Sequence, residues 1–378
     1  MKIACQQEHL AHGLSIVGRA VATRTTLPIL GNILLAADGP RLKLAATNLD
    51  LGITCWVDAE VREPGSTTVP ARLLGEFVNS LPRERVDLAL NPRNSTLNLK
   101  CATYEANVKA IDAEEFPAIP QVADRATASL DPKLLHEAVG QVVFAAATDD
   151  TRPALAGCLL SFRGPSLTLA AADGFRLAVR TVDVAQPFED NLDIIVPARA
   201  LQELARILGD QEEPVSISVT PNRNQVLFHL KDVDLVSRLI EATFPNYQQI
   251  IPTTHATRII INTKEFQSAV RIASLFARDS SNIVRLSISA GEELTPGRVV
   301  VAAAAVDVGD TIAGIDAVVE GENAQIAFNA KYLSEVLAVI TTAQVSMELA
   351  SPSRPGVVRP VGAEGYVHVI MPMHVTQR

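Results

Sequence analysis

The stretch Val69-Pro70-Ala71-Arg72 recurs 127 residues on as Val196-Pro197-Ala198-Arg199, and a looser version, Phe328-Asn329-Ala330-Lys331, follows 132 residues after that. Each opens an apolar run at helical spacing: Leu74, Phe77 and Leu81, then Leu201, Leu204 and Leu208, then Leu333, Val336 and Ile340. Pro28, Gly39-Pro40, Leu42, Leu44 and Ala45-Ala46 return 125 residues later as Pro153, Gly164-Pro165, Leu167, Leu169 and Ala170-Ala171. Val299-Val300-Val301 and Ala302-Ala303 keep the third register more loosely. The repeats close alike on Glu115-Phe116-Pro117, Thr243-Phe244-Pro245 and Met371-Pro372-Met373, with prolines 128 and 127 residues apart. Three repeats account for all 378 residues, so one folding unit is built three times. The expected domains are 1–122, 123–253 and 254–378.

Within a repeat the order is strand, helix, strands, helix, strands. In the first, Lys2–Cys5 reads as extended, and Leu10, Leu14, Val17 and Val21 hold helical spacing. Ile33–Ala36, Leu42–Ala46 and Ile53–Val57 read as strands and Ala71–Leu81 as the second helix. Val86–Leu90, Thr96–Leu99 and Glu105–Lys109 then alternate as half-buried antiparallel strands do. The second repeat starts its first helix at Asp131-Pro132, an N-cap followed by proline at the first helical position. Its inward stripe is Leu135, Ala138, Val139, Val142 and Val143. The third starts at Thr263 and turns Phe266, Val270, Ala273 and Ala277 inward. Two helices against an antiparallel sheet, three times over, is an α+β design.

Hydrophobic residues make up 48% of the chain and charged ones 20%, enough for two or three cores. No apolar stretch reaches the ~18 residues of a membrane span, so no membrane partner is expected. The opening Met1-Lys2-Ile3-Ala4-Cys5 has no apolar signal core, which predicts a cytoplasmic protein. Cys5, Cys55, Cys101 and Cys158 lack CxxC spacing and are expected to be reduced, small apolar residues. His9, His12, His136, His229, His255, His368 and His374 are scattered without metal-ligand spacing. There is no phosphate-binding loop, GxGxxG, HExxH or GxSxG. No catalytic residue, metal or cofactor is therefore expected.

The net charge is -9, from 33 Lys and Arg against 42 Asp and Glu. A conventional DNA binder is basic, because phosphate neutralisation drives its affinity. Position qualifies this. Arg72, Arg199 and Lys331 occupy one equivalent place, the first turn of each repeat's second helix, where a cation opposes the helix dipole by ~0.3–1 kcal/mol. Lys264, Arg271 and Arg278 are spaced by seven and line one helix face opposite the apolar stripe. His12 and Arg19 share such a face in the first repeat, with Arg24 just beyond; the second offers only Lys133 and His136. A solvated polar face gives the same pattern on any one helix. Six helices together point to a basic lining in an acidic shell, a surface that holds a nucleic-acid backbone weakly and without sequence readout.

Several strings carry a family resemblance. They are Thr26-Leu27-Pro28-Ile29-Leu30, Thr67-Thr68-Val69-Pro70-Ala71, Ala172-Asp173-Gly174-Phe175-Arg176-Leu177, Phe244-Pro245-Asn246-Tyr247, and Tyr366 with His368-Val369-Ile370-Met371-Pro372-Met373. In order along the whole chain, they resemble the bacterial sliding clamp family, the beta subunits of DNA polymerase III holoenzyme. The resemblance implies a head-to-tail homodimer whose six domains close a ring around duplex DNA. Its partners would be double-stranded DNA, replicative and repair DNA polymerases, a clamp loader and a second protomer.

By the same resemblance, an apolar pocket receives a short linear motif from polymerases and clamp loader. Its residues would be Leu155, Gly174, Phe175, Arg176, Leu177, Pro245, Ile250, Val369, Met371, Pro372 and Met373. Two methionines flanking a proline suit this, being soft and adaptable. The DNA-facing set would be Arg24, Arg72, Arg199, Lys264, Arg271, Arg278 and Lys331, and the dimer contact Ala106 and Val108 against Leu275 and Phe276. The chain departs from the family at Ala156, often asparagine, at Phe175, often histidine or tyrosine, and in the strand at Ala305-Val306-Asp307-Val308-Gly309. His374 to Arg378 run past the terminal motif. Apart from the resemblance, a repeat scaffold that binds only proteins is the alternative, and the lining cations separate the two.

Overall fold

A computed structural model describes residues 1–22, 26–120, 128–149, 151–184, 187–188, 191–209, 211–278, 281–292, 295–305 and 309–374. The chain packs as two compact units, Met1–Leu135 with Glu203–Leu239 and His136–Gln202 with Ile240–Arg378. Among the described residues there are six α-helices: α1 Gln7–Val17, α2 Ala71–Ser80, α3 Pro132–Val142, α4 Ala198–Leu208, α5 Thr263–Ala277 and α6 Ala330–Val339.

Local chemistry sets where they start. The repeated tetrapeptide is a strand-to-helix corner: Pro70, Pro197 and Asn329 end a strand, and the helix begins on the next residue. Asn329 accepts the Lys331 N–H at 2.9 Å, Asn262 accepts those of Lys264 and Glu265 at 3.0 and 3.2 Å, and Asp131 accepts that of Leu134 at 2.9 Å. Each such cap satisfies a donor the helix cannot. One end differs from its expectation. α1 stops at Val17, Gly18–Ala20 tighten into a 3-10 turn, and Val21 is extended at φ -66, ψ 135. Glycine at the boundary has no side chain to favour another turn, so Val21 leaves the helical stripe.

Among the described residues every strand pairing is antiparallel. Unit 1 holds a five-stranded sheet ordered Glu60–Glu63, Lys2–Gln6, Arg85–Asn91, Thr96–Cys101 and Tyr104–Lys109. It also holds an eight-stranded sheet running from Ala128–Leu130 to Ser66–Pro70. Unit 2 holds a twelve-stranded sheet from Leu192–Pro197 to Ala324–Asn329.

Six strands mark the ends of the repeats: β1 Leu51–Asp58, β2 Tyr104–Lys109, β3 Arg176–Asp183, β4 Val233–Arg238, β5 Gly309–Gly321 and β6 Tyr366–Ile370. Within unit 1, β1 pairs with β4 from Leu51↔Ser237 to Cys55↔Val233. Within unit 2, β3 pairs with β6 from Arg176↔Ile370 to Arg180↔Tyr366. The corresponding strands at the two ends of the series stay open. β2 is the edge of its sheet. On β5, Thr257–Asn262 covers residues 317–321 alone, so among the described residues 309–316 pair on one side only, with Gly297–Ala305.

The apolar stripes face the sheets: Leu74, Leu201, Leu204, Phe266, Leu333 and Val336 are fully buried, each contributing about 1.5–3 kcal/mol of transfer free energy. All four cysteines are free and buried. Burial pushes the thiols of Cys5, Cys55 and Cys158 up to about 12, so they stay protonated and inert at neutral pH. Among the described residues no helix is long and apolar enough to cross a membrane.

Candidate partner pocket and nucleic-acid interface

The turn Asp173-Gly174-Phe175 joins the strand Ser166–Ala172 to β3. Asp173 Oδ1 accepts the N–H groups of Phe175 (2.8 Å) and Arg176 (3.0 Å), which fixes the reversal. Gly174, at φ +94, takes a conformation that a Cβ resists. The turn leaves Phe175 59% exposed and drives Arg176 inward, to 8%. Arg176 donates from Nε to Asp173 Oδ2 (3.0 Å), from Nη2 to the Phe144 carbonyl (2.6 Å) and from Nη1 to Glu335. Its guanidinium lies 4.4 Å from the Tyr332 ring and 5.3 Å from the Phe144 ring. A flat cation stacked on aromatic faces while donating along its edge is a role for arginine and not for lysine.

Leu155, Leu177 and Val369 are buried in one apolar cluster, with Leu159, Phe244, Tyr247 and Ile251 partly buried against it. Strand register puts Leu177 opposite Val369. Beyond β6 the chain continues along the turn: the Met371 N–H donates to the Phe175 carbonyl at 2.8 Å, so these two residues share the rim. Met371 is 40% exposed, and Pro372 and Met373 are half-buried. Pro245 and Ile250 are exposed; Tyr247 and Ile251 are the residues of that segment that pack on the cluster. The result is an apolar floor with a soft, accessible rim, able to take apolar side chains from a partner. Glu335, Tyr332 and Phe144, which hold Arg176 in place, escaped the sequence reading. The spacing of Lys331 and Glu335 was the one available hint.

Behind the rim, His368 is fully buried on β6 opposite Ala178, its ring stacked 5.5 Å from that of Phe144. Burial first, and the nearby Arg176 charge second, push its imidazole down to about 3.

The repeated cations occupy the second residue of their helices, Arg72 on α2, Arg199 on α4 and Lys331 on α6, and all three are exposed. Arg72 Nε donates to Glu76 at 2.8 Å, and Lys331 lies 4.0 Å from Glu335. Lys264, Arg271 and Arg278 are exposed along α5 and its C-cap, on the side away from buried Phe266, Val270 and Ala273. Arg24 lies outside the described residues. Arg19 is tied to Glu203 at 3.1 Å, and that carboxylate also accepts from Arg206 at 2.8 Å. Among the described residues no cluster of His, Cys, Asp or Glu has the makings of a metal site.

Ala106 and Val108 sit on the open strand β2, Ala106 half-buried and Val108 turned into the core at 4% exposure. Leu275 is 54% exposed on α5, and Phe276 is half-buried. Two exposed apolar residues missed from sequence are Ile272 on α5 and Ile312 on the open half of β5, the latter 71% exposed.

Family models for the N-terminal, central and C-terminal domains of the DNA polymerase III beta subunit match residues 1–120, 129–246 and 248–374. The beta sliding clamp of Synechocystis sp. is 34% identical over 396 residues, covering 99% of this chain and 100% of the relative. That of Bacillus subtilis is 31% identical over 383 residues, covering 99% of each. Among solved structures, the DNA polymerase sliding clamp from Bacillus subtilis superposes with a TM-score of 0.92 at 30% identity over 100% of both chains. The sliding clamp from Pseudomonas aeruginosa bound to griselimycin superposes with a TM-score of 0.90 at 28% identity, covering 99% of this chain and 100% of the other. With all three domain models matched in order and full-length relatives above 30% identity, this chain belongs to the DNA polymerase III beta subunit family, the beta sliding clamps.

Proposed function

We propose that two protomers close head to tail into a ring that encircles duplex DNA without reading its sequence and tethers the replicative polymerase to its template in the cytoplasm. The unfilled third junction carries this reading. The junction strands pair the same way twice, β1 with β4 and β3 with β6, which leaves β5 and β2 over. Pairing β5 of one protomer with β2 of the next satisfies both open edges. A heterologous contact that closes after two protomers gives a ring of six repeats. In that ring the domains are 1–122, 123–253 and 254–378, and the edge strand carrying Ala106 and Val108 meets the helix carrying the other protomer's Leu275 and Phe276.

Arg24, Arg72, Arg199, Lys264, Arg271, Arg278 and Lys331 line the hole, where phosphate charge offsets the dipole penalty at the helix starts. Retention is topological, so the contacts stay weak enough for sliding and the net charge of -9 is tolerated. The ring supplies position and no chemistry. The pocket around Leu177, Phe175 and Met371 takes short apolar segments of replicative and repair polymerases and of the clamp loader. Light scattering is expected to give a mass near twice 40.4 kDa. Protein loaded on nicked circular DNA is expected to be retained through a salt wash and released when the circle is cut. A monomeric mass, or retention indifferent to cutting, would sink the ring.

A further inference from the structure

The backbone scaffold of the partner pocket occurs a second time, inside unit 1. Asn48 Oδ1 accepts the N–H groups of Asp50 (3.1 Å) and Leu51 (2.8 Å), as Asp173 does for Phe175 and Arg176. The Asn48 N–H donates to the Leu51 carbonyl at 3.1 Å, and that of Asp173 to the Arg176 carbonyl at 3.3 Å. Leu49 stands at φ +79 where Gly174 stands at +94. The Arg238 N–H donates to the Asp50 carbonyl at 2.9 Å, the counterpart of Met371 donating to Phe175. Gly52 faces Val236 across the β1–β4 ladder as Leu177 faces Val369 across β3–β6. In the repeat register Ile119 corresponds to Tyr247.

The lining differs at each place that matters. The rim residues Phe175 and Met371 become Asp50 and Arg238, an exposed ion pair 3.9 Å apart. The floor residue Leu177 becomes Gly52, and the Ile119 side chain covers that space, 3.1 Å from where a Cβ would sit. What remains is a cavity of about 60 Å³, far below the ~300 Å³ at which ligand pockets begin. An apolar side chain entering there would strip water from two charges and find the floor already filled by Ile119.

We infer that Asp50, Ile119 and Arg238 close this twin of the partner pocket, so that each chain offers one motif site where its repeat scaffold provides for two. The inference rests on the pocket reading above. Its residues determine specificity through what they exclude.

The test counts bound peptides on the full-length protein, using as probe a fluorescein-labelled, capped pentapeptide made mainly of leucine and phenylalanine, to match the apolar floor and rim. The unaltered protein is expected to bind one per chain, and Met371→Glu to abolish this. The triple variant Asp50→Phe, Ile119→Ala, Arg238→Met is expected to bind two, the second surviving addition of Met371→Glu. The converse variant, Phe175→Asp with Met371→Arg, imposes the closed lining on unit 2 and is expected to bind none while melting as the unaltered protein does. A folded triple variant that still binds one peptide overturns the inference, and so does a converse variant that keeps its peptide. If the unaltered protein binds no peptide, the pocket reading itself fails and the inference falls with it.

Discussion

His368 is a fully buried imidazole whose two ring nitrogens find no hydrogen-bond partner among the described residues. Desolvation together with the Arg176 charge lowers its pKa to about 3. In the unfolded chain the group returns to about 6.5. Between these values the unfolded chain binds a proton that the folded chain refuses, so stability falls as pH falls from 6.5 towards 3 and is complete above 6.5. Melting temperatures measured from pH 7 to 5, above the range of ordinary carboxylates, are expected to drop in the unaltered protein and to stay nearly flat in His368→Phe. Parallel curves would show that His368 is not the group responsible. The sequence placed this residue inside a closing motif yet gave no sign of its burial. Alternation identifies a strand covered on one face, whereas β6 is fully buried along its whole length. Arg176 was named from its motif, but of the groups that accept its hydrogen bonds only Asp173 is local; Phe144 and Glu335 lie 32 and 159 residues away, beyond any local pattern.

At the scale of the element, the helices were the legible part because each carries a 3.6-residue stripe and all but the first a local start signal. The strands Glu60–Glu63 and Ser66–Pro70 were missed for the opposite reason. The first is a charged sheet edge and the second is rich in Ser and Thr, so neither shows apolar alternation. The helix starts also separate DNA binding from stability. Reversing Arg72, Arg199 and Lys331 to glutamate puts an anion where the helix dipole prefers one, a gain of ~0.3–1 kcal/mol per helix. Against this, the exposed i,i+4 pairs to Glu76 and Glu335 are lost and replaced by like-charge neighbours. These effects oppose one another, so folding stability is expected to change little in urea unfolding. Retention on circular DNA is expected to collapse. Unchanged retention would mean that these helix starts do not face the duplex, and the protein-only scaffold would then gain ground.

At the scale of the whole molecule, a period in the sequence counts repeats but cannot say how a series of three ends. The fold supplies that through its leftover edges, the strand β2 and residues 309–316 of β5. Ile312 sits in that open stretch, 71% exposed, beside a cavity of about 310 Å³ lined by Ile283, Arg285, Ala303 and Thr311. An isoleucine so exposed contributes little to the fold of its own protomer, and Ile312→Glu is expected to leave chemical unfolding of the isolated protomer within about 0.5 kcal/mol of the unaltered chain. In a ring of two protomers, however, the junction occurs twice, so one substitution acts twice. Burying an uncompensated charge at a junction costs about 2–3 kcal/mol even where water partly relieves it. Two such junctions are then expected to weaken dimerisation about 10³–10⁴-fold. Sedimentation equilibrium over a micromolar range would read this as a shift from dimer to monomer. A dimer as tight as the unaltered one would place the protomer contact away from β5, and with it the proposed direction of ring closure.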